Sequence, residues 1–464
     1  MQLNEFGKNP LASQPPGSYA LANAQKGNNI TYTLNIEPQL TYTFTSGKNH
    51  FDVLLGGTYM KTLHEMKSQY ATGFTNDDDL ADFSKAEAVN YYYSEGTYKF
   101  MSGFTRLSYN YDEKYVLNLT GRRDGSSRFG PGRKYGNFGS IGAAWNFSSE
   151  RFFKWMKPAI SFAKLRASYG ITGSDAIGDY QYFVNYVLSQ SQYENVQGYH
   201  ANNLFNDNYQ WETTRKIDVG LELGAWKDRI SLTLDYYRNR SGNQLVSYTL
   251  PSFVGNDNVA ANLNALIENS GVEMTVLVDP VRRKNFSWTT SFNISFARNK
   301  LIAFPGLENS PYRSQFFLNK SISPILGYRN ATVNPADGTV VVDDINKDGV
   351  ISPDYDYTYL GSSLPHYTGG IDNKFTYKNL TLVIFLSFKH QDYAQFYDFK
   401  PGSIYNQPAI INGNVWEQPG DVKKFPKASA AGNNDASFYY FNNSLAAYYS
   451  GSYLRISSLS ANYL

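Results

Sequence analysis

The sequence predicts an all-β protein, a transmembrane antiparallel β-barrel, and three observations lead to that prediction. Tyr occurs 39 times and Phe 30 times in 464 residues, and both favour strands. Apolar and polar residues alternate with a period of two in many segments, a pattern that a helix does not produce. The links between these segments alternate between short and long, as in a barrel with tight turns at one end and extracellular loops at the other.

The clearest predicted strand covers residues 30–45, where one parity is apolar and the other polar. The apolar parity consists of Ile30, Tyr32, Leu34, Ile36, Leu40, Tyr42 and Phe44. The intervening positions are mostly Thr, Asn, Glu and Gln, so the two faces of this strand differ in polarity. Residues 46–49 (Ser-Gly-Lys-Asn) predict a turn, which leads into a second strand near 51–60.

Further segments repeat the pattern and predict the remaining strands. They lie near residues 97–111, 115–124, 137–147, 160–170, 214–224, 229–238, 271–278, 286–297, 369–377, 379–389 and 452–463. The total is about 13 strands, whereas bacterial single-chain barrels have an even number. We therefore expect the chain to be part of a larger barrel, with closing strands missing after Leu464.

The lengths of the links favour a barrel over a soluble β-sandwich. Short links such as 112–114 and 225–228 alternate with long ones such as 171–213 and 298–368. A sandwich has no reason to alternate in this way. No run of about 18 apolar residues is present, so a transmembrane helix is excluded. A transmembrane strand needs only about ten residues, of which alternate ones face lipid.

Composition excludes several other classes of function. The formal net charge of +2 lacks the basic excess of a nucleic-acid-binding protein. The absence of cysteine rules out disulfides and thiolate sites. The five histidines are scattered without a metal-ligand spacing, and no Ser/His/Asp set or phosphate loop is visible, so no enzyme is predicted. No signal peptide follows Met1, so we expect an exported protein with this sequence to have lost its start.

An ordered series of short motifs resembles a known family. Residues 121–130 read Gly-Arg-Arg-Asp-Gly-Ser-Ser-Arg-Phe-Gly, and residues 164–173 read Lys-Leu-Arg-Ala-Ser-Tyr-Gly-Ile-Thr-Gly. The other motifs are Phe138-Gly139-Ser140, Ala144-Trp145, Ser149-Glu150-Arg151-Phe152, Trp211-Glu212-Thr213-Thr214, Asp235-Tyr236-Tyr237, Asn269-Ser270-Gly271-Val272-Glu273, Asp348-Gly349 and Tyr453-Leu454-Arg455. In order and number this set is similar to the SusC/RagA branch of TonB-dependent outer-membrane transporters.

The resemblance implies more than the residues show by themselves. It implies a 22-stranded barrel with an N-terminal plug, in the outer membrane of a Gram-negative, Bacteroidota-like cell. It also implies a SusD-like surface lipoprotein as lid, energy from the TonB complex, and oligosaccharide or peptide fragments as cargo. Residues 1–464 would then be a partial barrel domain, in contact with outer-membrane lipid but without the plug, the TonB-contacting segment and the closing strands.

The family-like motif at the end of the strand near 115–124 has two interpretations. It orders a loop near the lumen, or it is a turn whose glycines permit a tight backbone and whose arginines bind neighbouring carbonyls. The turn is the favoured interpretation. The motif residues are Arg122, Asp124, Gly125, Ser126, Ser127, Arg128, Phe129 and Gly130.

A second candidate site resembles a calcium-binding loop. Asp344, Asn346 and Asp348 occupy positions 1, 3 and 5, Gly349 supplies the sharp turn, and the carbonyl of Val350 occupies position 7. Position 12 is a tyrosine and not the usual bidentate carboxylate, although Asp354 and Asp356 flank it. Calcium binding and a plain turn rich in Asp and Asn are therefore both open.

Charges of the polar parity form a third feature. They are Lys164, Arg166, Asp218, Glu222, Asp235 and Glu273. Facing lipid, such charges would cost up to about 4 kcal/mol near the midplane, so they should face the lumen. Packing against a plug is favoured over contact with substrate.

Three hypotheses of function follow from the sequence. The first is an outer-membrane nutrient importer energised through TonB, without a cofactor unless calcium binds. The second is a passive porin, which also needs a barrel but neither a plug nor a lid. The third is a soluble β-rich protein that binds or cleaves glycans. The alternating links argue against the third, and the motifs argue against the second.

Overall fold

The structure is a computed structural model that describes residues 2–13, 22–194, 196–201, 203–395, 400–403, 406–430 and 436–463. The strands are β1 (Gln2–Asn9), β2 (Ala22–Ile36), β3 (Gln39–Ser46), β4 (Asn49–Phe74), β5 (Ala88–Tyr111), β6 (Tyr115–Ser126), β7 (Tyr135–Trp145), β8 (Ile160–Ser174), β9 (Tyr186–Tyr193), β10 (Val196–Ala201), β11 (Glu212–Ala225), β12 (Ile230–Gly242), β13 (Gln244–Thr249), β14 (Asn258–Leu263), β15 (Leu266–Arg282), β16 (Phe286–Ala303), β17 (Pro324–Tyr328), β18 (Thr332–Val333), β19 (Val340–Val341), β20 (Tyr357–Ser362), β21 (Tyr367–Tyr377), β22 (Leu380–His390), β23 (Ala394–Gln395), β24 (Tyr448–Tyr449) and β25 (Tyr453–Tyr463).

The helices are short. They are α1 (Pro353–Asp356), α2 (Ala436–Asn442) and the 3-10 helices Leu11–Ser13, Asp77–Asp79, Phe83–Lys85, Phe147–Ser149, Arg151–Trp155, Ser252–Val254, Leu307–Asn309, Ala409–Ile411 and Leu445–Ala447. Within the described ranges, no helix has both the length and the apolar character needed to cross a membrane.

One antiparallel sheet of 15 strands dominates the fold. It runs as an up-and-down meander in the order β1-β2-β4-β5-β6-β7-β8-β11-β12-β15-β16-β21-β22-β25, with β3 also paired to β4. Every predicted strand is confirmed as a member of this sheet. The predicted total of about 13 strands compares with 15 in the described part of the chain, because β1 was not predicted and the predicted strand 30–45 is divided into β2 and β3.

β2 and β3 share one position in the sheet, since both pair with β4. The sequence predicts a single strand here, and the interruption lies at Glu37 and Pro38. Proline has no N–H to donate to a ladder, so it breaks the strand at that point. Its carbonyl still accepts a hydrogen bond from the Gly57 N–H at 3.1 Å, which keeps the two halves on the same neighbour.

The connections confirm the predicted alternation. Short links 47–48, 112–114, 226–229, 283–285 and 378–379 lie at one end of the sheet, called here the short-loop end. Links 75–87, 127–134, 175–211, 243–265, 304–366 and 391–452 lie at the other, the long-loop end. The link 146–159 is the exception at the short-loop end, where it carries two 3-10 helices.

The two faces of the sheet differ in chemistry. Large apolar side chains stand exposed on one face, called here the apolar face, and examples are Leu40 at 68 % and Tyr32 at 61 % exposure. The opposite face, called here the polar face, carries the charged and hydroxyl side chains of the alternate positions. A contiguous exposed apolar surface of this kind indicates contact with lipid or another apolar partner.

Two of the buried apolar clusters are built largely from the long connections. Tyr328 of the 304–366 connection packs in a buried cluster with Phe425 and Phe441 of the 391–452 connection. Phe129 packs with Trp211 in a second cluster, beside β6 and β7. The long connections are therefore packed structures that cover the long-loop end of the sheet.

Candidate functional site

Three neighbouring strands are joined by ion pairs on the polar face. Lys164 Nζ of β8 lies 3.3 Å from Glu222 Oε1 of β11. Arg166 Nη1 lies 2.7 Å from Asp218 Oδ1, and its Nε lies 3.3 Å from the same Glu222 oxygen. Arg166 also pairs with Asp235 of β12. One guanidinium therefore contacts carboxylates of two different strands.

Gly220 of β11 makes this arrangement sterically possible. It lies opposite Arg166 on one side and opposite Asp235 on the other. A Cβ at this position would lie 2.6 Å from Arg166 Nε and would also collide with the Asp235 carboxylate. Since glycine has no side chain, the guanidinium can pass over β11 and reach the third strand.

Glu273 of β15 extends the row to a fourth strand. It is the register partner of Asp235 and accepts a hydrogen bond from Ser295 Oγ at 3.2 Å. The structure places all six charges named from the sequence on the polar face, in one connected region. Two cations face four carboxylates there, so the region carries a negative excess when all six groups are ionised.

The family-like motif at the long-loop end contacts both a neighbouring strand and a long connection. Arg122 Nε lies 2.8 Å from Asp124 Oδ2 on the same strand. The N–H of Ser127 donates to the carbonyl of Lys99 on β5, and Ser127 Oγ accepts from the N–H of Lys99, each at 2.9 Å. Ser126 Oγ accepts from the N–H of Arg128 at 3.2 Å. The motif thus holds the β6 end in a defined conformation.

Arg128 is the residue of this motif that reaches the 175–211 connection. Its Nε lies 2.9 Å from Asp179 Oδ1, and its Nη1 donates to the Asp175 carbonyl at 3.0 Å. The guanidinium also stacks on Tyr98, 4.2 Å from the ring centroid. The hydrogen bond to the Asp175 carbonyl fits the interpretation as a turn whose arginines bind carbonyls. The ion pair with Asp179 fits the interpretation as an element that orders a loop.

An aromatic cluster surrounds Phe129, which is fully buried. Its ring centroid lies 5.3 Å from that of Trp211 and 5.9 Å from that of Tyr209. Burial raises the pKa of the Tyr209 phenol to about 12.

Gly130 lies against Tyr182, whose ring would be 3.0 Å from an added Cβ. Gly125 lies against Tyr135 in the same way, at 2.6 Å.

A cavity of about 430 Å³ opens on the polar face beneath this cluster. Its wall combines aromatic, charged and hydroxyl groups, a mixture suited to sugar or peptide groups. The groups that provide this mixture include Phe100, Thr120, Arg122, Asp124, Phe138 and Trp211.

The loop that resembles a calcium site is closed by hydrogen bonds between its own residues. Asp344 accepts from the N–H groups of Lys347 and Gly349, both at 2.7 Å. Asp348 accepts from the N–H of Val350 at 2.8 Å and from Asn346 Nδ2 at 2.7 Å. The side-chain oxygens of Asp344, Asn346 and Asp348 therefore all accept hydrogen bonds within one turn.

Asp356, and not position 12, supplies the carboxylate that closes the loop. It is fully buried, and it accepts from the N–H groups of Ser352 at 2.8 Å and Ile345 at 2.7 Å. The hydrogen bond from Ser352, together with that from Ile345, holds the pKa of this carboxyl below its usual range. The donor set of oxygen atoms fits a hard cation such as Ca²⁺.

Sequence reasoning missed the partners of the motif in the long connections. Asp175 and Asp179, which contact Arg128, lie in a segment without periodicity. The only signal was the length of the connection, since loops of this size in a compact protein usually have a function or a packed structure.

Comparison with known proteins identifies the family. The sequence matches the family described as TonB dependent receptor-like, beta-barrel, over residues 4–463. The chain belongs to this family. Its members are transport receptors of the outer membrane and not enzymes, and the predicted resemblance and fold class are both confirmed.

Relatives of this receptor barrel include receptors of Formosa agariphila and Bacteroides thetaiotaomicron. TonB-dependent receptor P39 of Formosa agariphila is 27 % identical over 95 % of this chain and 47 % of its own length. TonB-dependent receptor P26 of the same organism is 30 % identical over 75 % of this chain and 38 % of its own length. TonB-dependent receptor SusC of Bacteroides thetaiotaomicron is 30 % identical over 61 % of this chain and 28 % of its own length. The receptor barrel spans about half the length of P39.

A solved structure shares the fold. The structure of the RagAB peptide transporter superposes with a TM-score of 0.84 at 20 % identity, covering 100 % of this chain and 52 % of that chain. At this identity the likeness concerns the fold alone.

Proposed function

We propose that this receptor barrel forms part of the wall and the extracellular loops of an outer-membrane nutrient importer of the SusC/RagA type. The observation that carries the proposal is the contrast between the faces of its sheet. Apolar side chains such as Val219 and Tyr236 stand exposed on one face, at 40 % and 44 %. Ion pairs centred on Arg166 lie on the other. This is the arrangement of a barrel wall between lipid and a polar interior.

We propose glycan or peptide fragments as the cargo and a SusD-like lipoprotein as the lid. The relative named SusC supports an importer, and the RagAB peptide transporter supports the barrel fold on which that importer is built. Energy would come from the TonB complex, as the family description implies. The cavity beside Arg122 and Trp211 is the proposed contact for cargo, because it lies on the polar face at the long-loop end.

The test uses the full receptor that contains this chain, in its own cells, with fluorescently labelled peptides and oligosaccharides. We expect uptake of one class to require both the receptor gene and TonB. Thr120→Trp, which fills the cavity, should reduce uptake. Asn118→Trp, one step along the same face and outside the cavity wall, should not. Uptake that continues without TonB would favour a passive porin, and a chain that is soluble without detergent would contradict both.

We also propose that Asp344, Asn346, Asp348 and the Val350 carbonyl bind Ca²⁺. The side-chain oxygens of the first three lie on one turn in which Gly349 is in the left-handed region, at φ +83°, and this supports the proposal. The ion would order the 304–366 connection and take no part in a reaction.

A further inference from the structure

We propose that His366, His390 and Asp392 form a binding site for a divalent transition-metal ion at the long-loop end of the sheet. Each side chain offers one ligand atom, and the three atoms lie within 4.8 Å of one another. Two imidazoles and a carboxylate suit Zn²⁺ and its first-row neighbours, whereas Ca²⁺ and Mg²⁺ prefer oxygen alone. The site is separate from the proposed calcium loop and from the cavity.

The distances require only a small adjustment to admit an ion. His366 Nε2 lies 2.6 Å from Asp392 Oδ2, and His390 Nε2 lies 3.6 Å from Asp392 Oδ1. A tetrahedral zinc ion with bonds of about 2.0–2.1 Å holds its ligand atoms about 3.3 Å apart. His366 must therefore retreat by less than about 1 Å from the carboxylate. The three side chains are 57 %, 43 % and 45 % exposed, so packing does not oppose this movement.

The orientation of His390 is set by a neighbouring hydroxyl. Ser452 Oγ lies 2.9 Å from His390 Nδ1, which leaves Nε2 directed at the carboxylate. Such an outer partner on the second nitrogen is the usual way in which proteins orient a metal-binding imidazole. The rings of His366 and His390 are stacked, with centroids 5.3 Å apart.

The strand register brings these residues together, which is why the sequence did not reveal them. Tyr367 lies opposite His390 in the β21–β22 pair, and the N–H of His366 donates to the His390 carbonyl at 2.8 Å. The five histidines have no metal-ligand spacing in the sequence, and the fold nevertheless brings these two together. Spacing rules apply to ligands close in sequence, and a hairpin places distant residues side by side.

A metal ion at this point would join the 304–366 and 391–452 connections where they meet the sheet. His366 is the last residue of the 304–366 connection, and Asp392 lies at the start of the 391–452 connection. Their bases already share a hydrogen bond from Gln391 Nε2 to the Ser363 carbonyl, at 2.8 Å. An ion held by both would stabilise the contact against opening.

The experiment is a calorimetric titration of the full receptor, in detergent at pH 7.5, with ZnCl₂. We expect one saturable equivalent that is lost in His366→Ala and in His390→Ala. His200→Ala, which removes an exposed imidazole on β10, is the matched control and should retain it. Ser452→Ala should weaken binding by about 10- to 100-fold while keeping one equivalent.

Two further readouts separate this site from nonspecific binding and from misfolding. Each variant must keep the heat-modifiable mobility of the parent barrel. Co²⁺ should give the intense visible absorption of a low-coordinate ion in the parent and in His200→Ala, and not in His390→Ala. No saturable equivalent, or one that His390→Ala retains, would overturn the proposal.

Discussion

Arg166 of β8 and Asp235 of β12 form an ion pair across the intervening strand, directly above Gly220. The same guanidinium holds Asp218 of the strand it crosses. Three strands are therefore linked by side chains in addition to their backbone ladders. The link depends on the absence of a single Cβ.

Gly220→Ala is expected to destabilise the barrel. The new methyl would press on both Arg166 and Asp235, and overpacking of this kind costs about 1–3 kcal/mol. A lower thermal unfolding temperature of the detergent-solubilised receptor is the measurement. Gly103→Ala is the matched control, because nothing lies within 4 Å of its added Cβ. Equal losses in both variants would contradict the role given to Gly220.

Leu234→Arg on the apolar face is expected to impair assembly in the membrane. A charge facing lipid near the midplane costs about 2–4 kcal/mol. Thr233→Arg is the control, because Thr233 directly precedes Leu234 on β12 and faces the polar side, opposite Glu222. The amount of heat-modifiable receptor in outer-membrane fractions measures the difference. If the two variants assemble equally, the apolar face is not in contact with lipid.

The strands were predictable because lipid and a polar interior impose opposite chemistry on alternate residues. Ile217 and Asp218 are adjacent in sequence and face different surroundings, so the pattern is written directly in the chain. β1 escaped prediction because Leu3 and Phe6 do not alternate. The polar-face charges do follow the alternation, so their parity alone was enough to assign them to one face.

Contacts in the connections were not predictable from such a pattern. Tyr328 packs with Phe425, nearly a hundred residues away, and no periodicity links the two. The contacts of Arg128 with Asp179, and of His366 with His390, likewise depend on register and loop packing. A single sequence encodes these contacts only through the complete fold.

Arg128→Ala is expected to release the 175–211 connection. The change removes an ion pair with Asp179 and a hydrogen bond to a carbonyl, each worth about 1–3 kcal/mol at a partly buried position. Faster limited proteolysis within that connection is the measurement. Arg123→Ala is the control, because that guanidinium donates to Asn137 and lies over the Tyr135 ring, and both partners belong to β7 of the sheet. Unchanged cleavage in Arg128→Ala would show that the motif is a simple turn.

Calcium removal is expected to loosen the 304–366 connection if the proposed ion is bound. A chelator specific for Ca²⁺ should increase proteolysis there in the parent receptor, and Asp348→Asn should mimic it. Asp337→Asn, in the same connection but outside the site, should still respond to the chelator. A parent receptor that is indifferent to the chelator would leave the plain turn as the correct interpretation.

The same connection is expected to loosen at acid pH through Asp356. Its folded-state pKa is held below the usual 3.8 by the N–H of Ser352 and then that of Ile345. The stabilisation is therefore complete above the unfolded pKa and is lost as pH falls through the folded one. Pepsin cleavage of this connection should rise steeply below pH 3.8 in the parent and in Asp354→Asn, an exposed neighbour. Asp356→Asn should already be susceptible at higher pH and change little, and a parent-like profile for this variant would contradict the assignment.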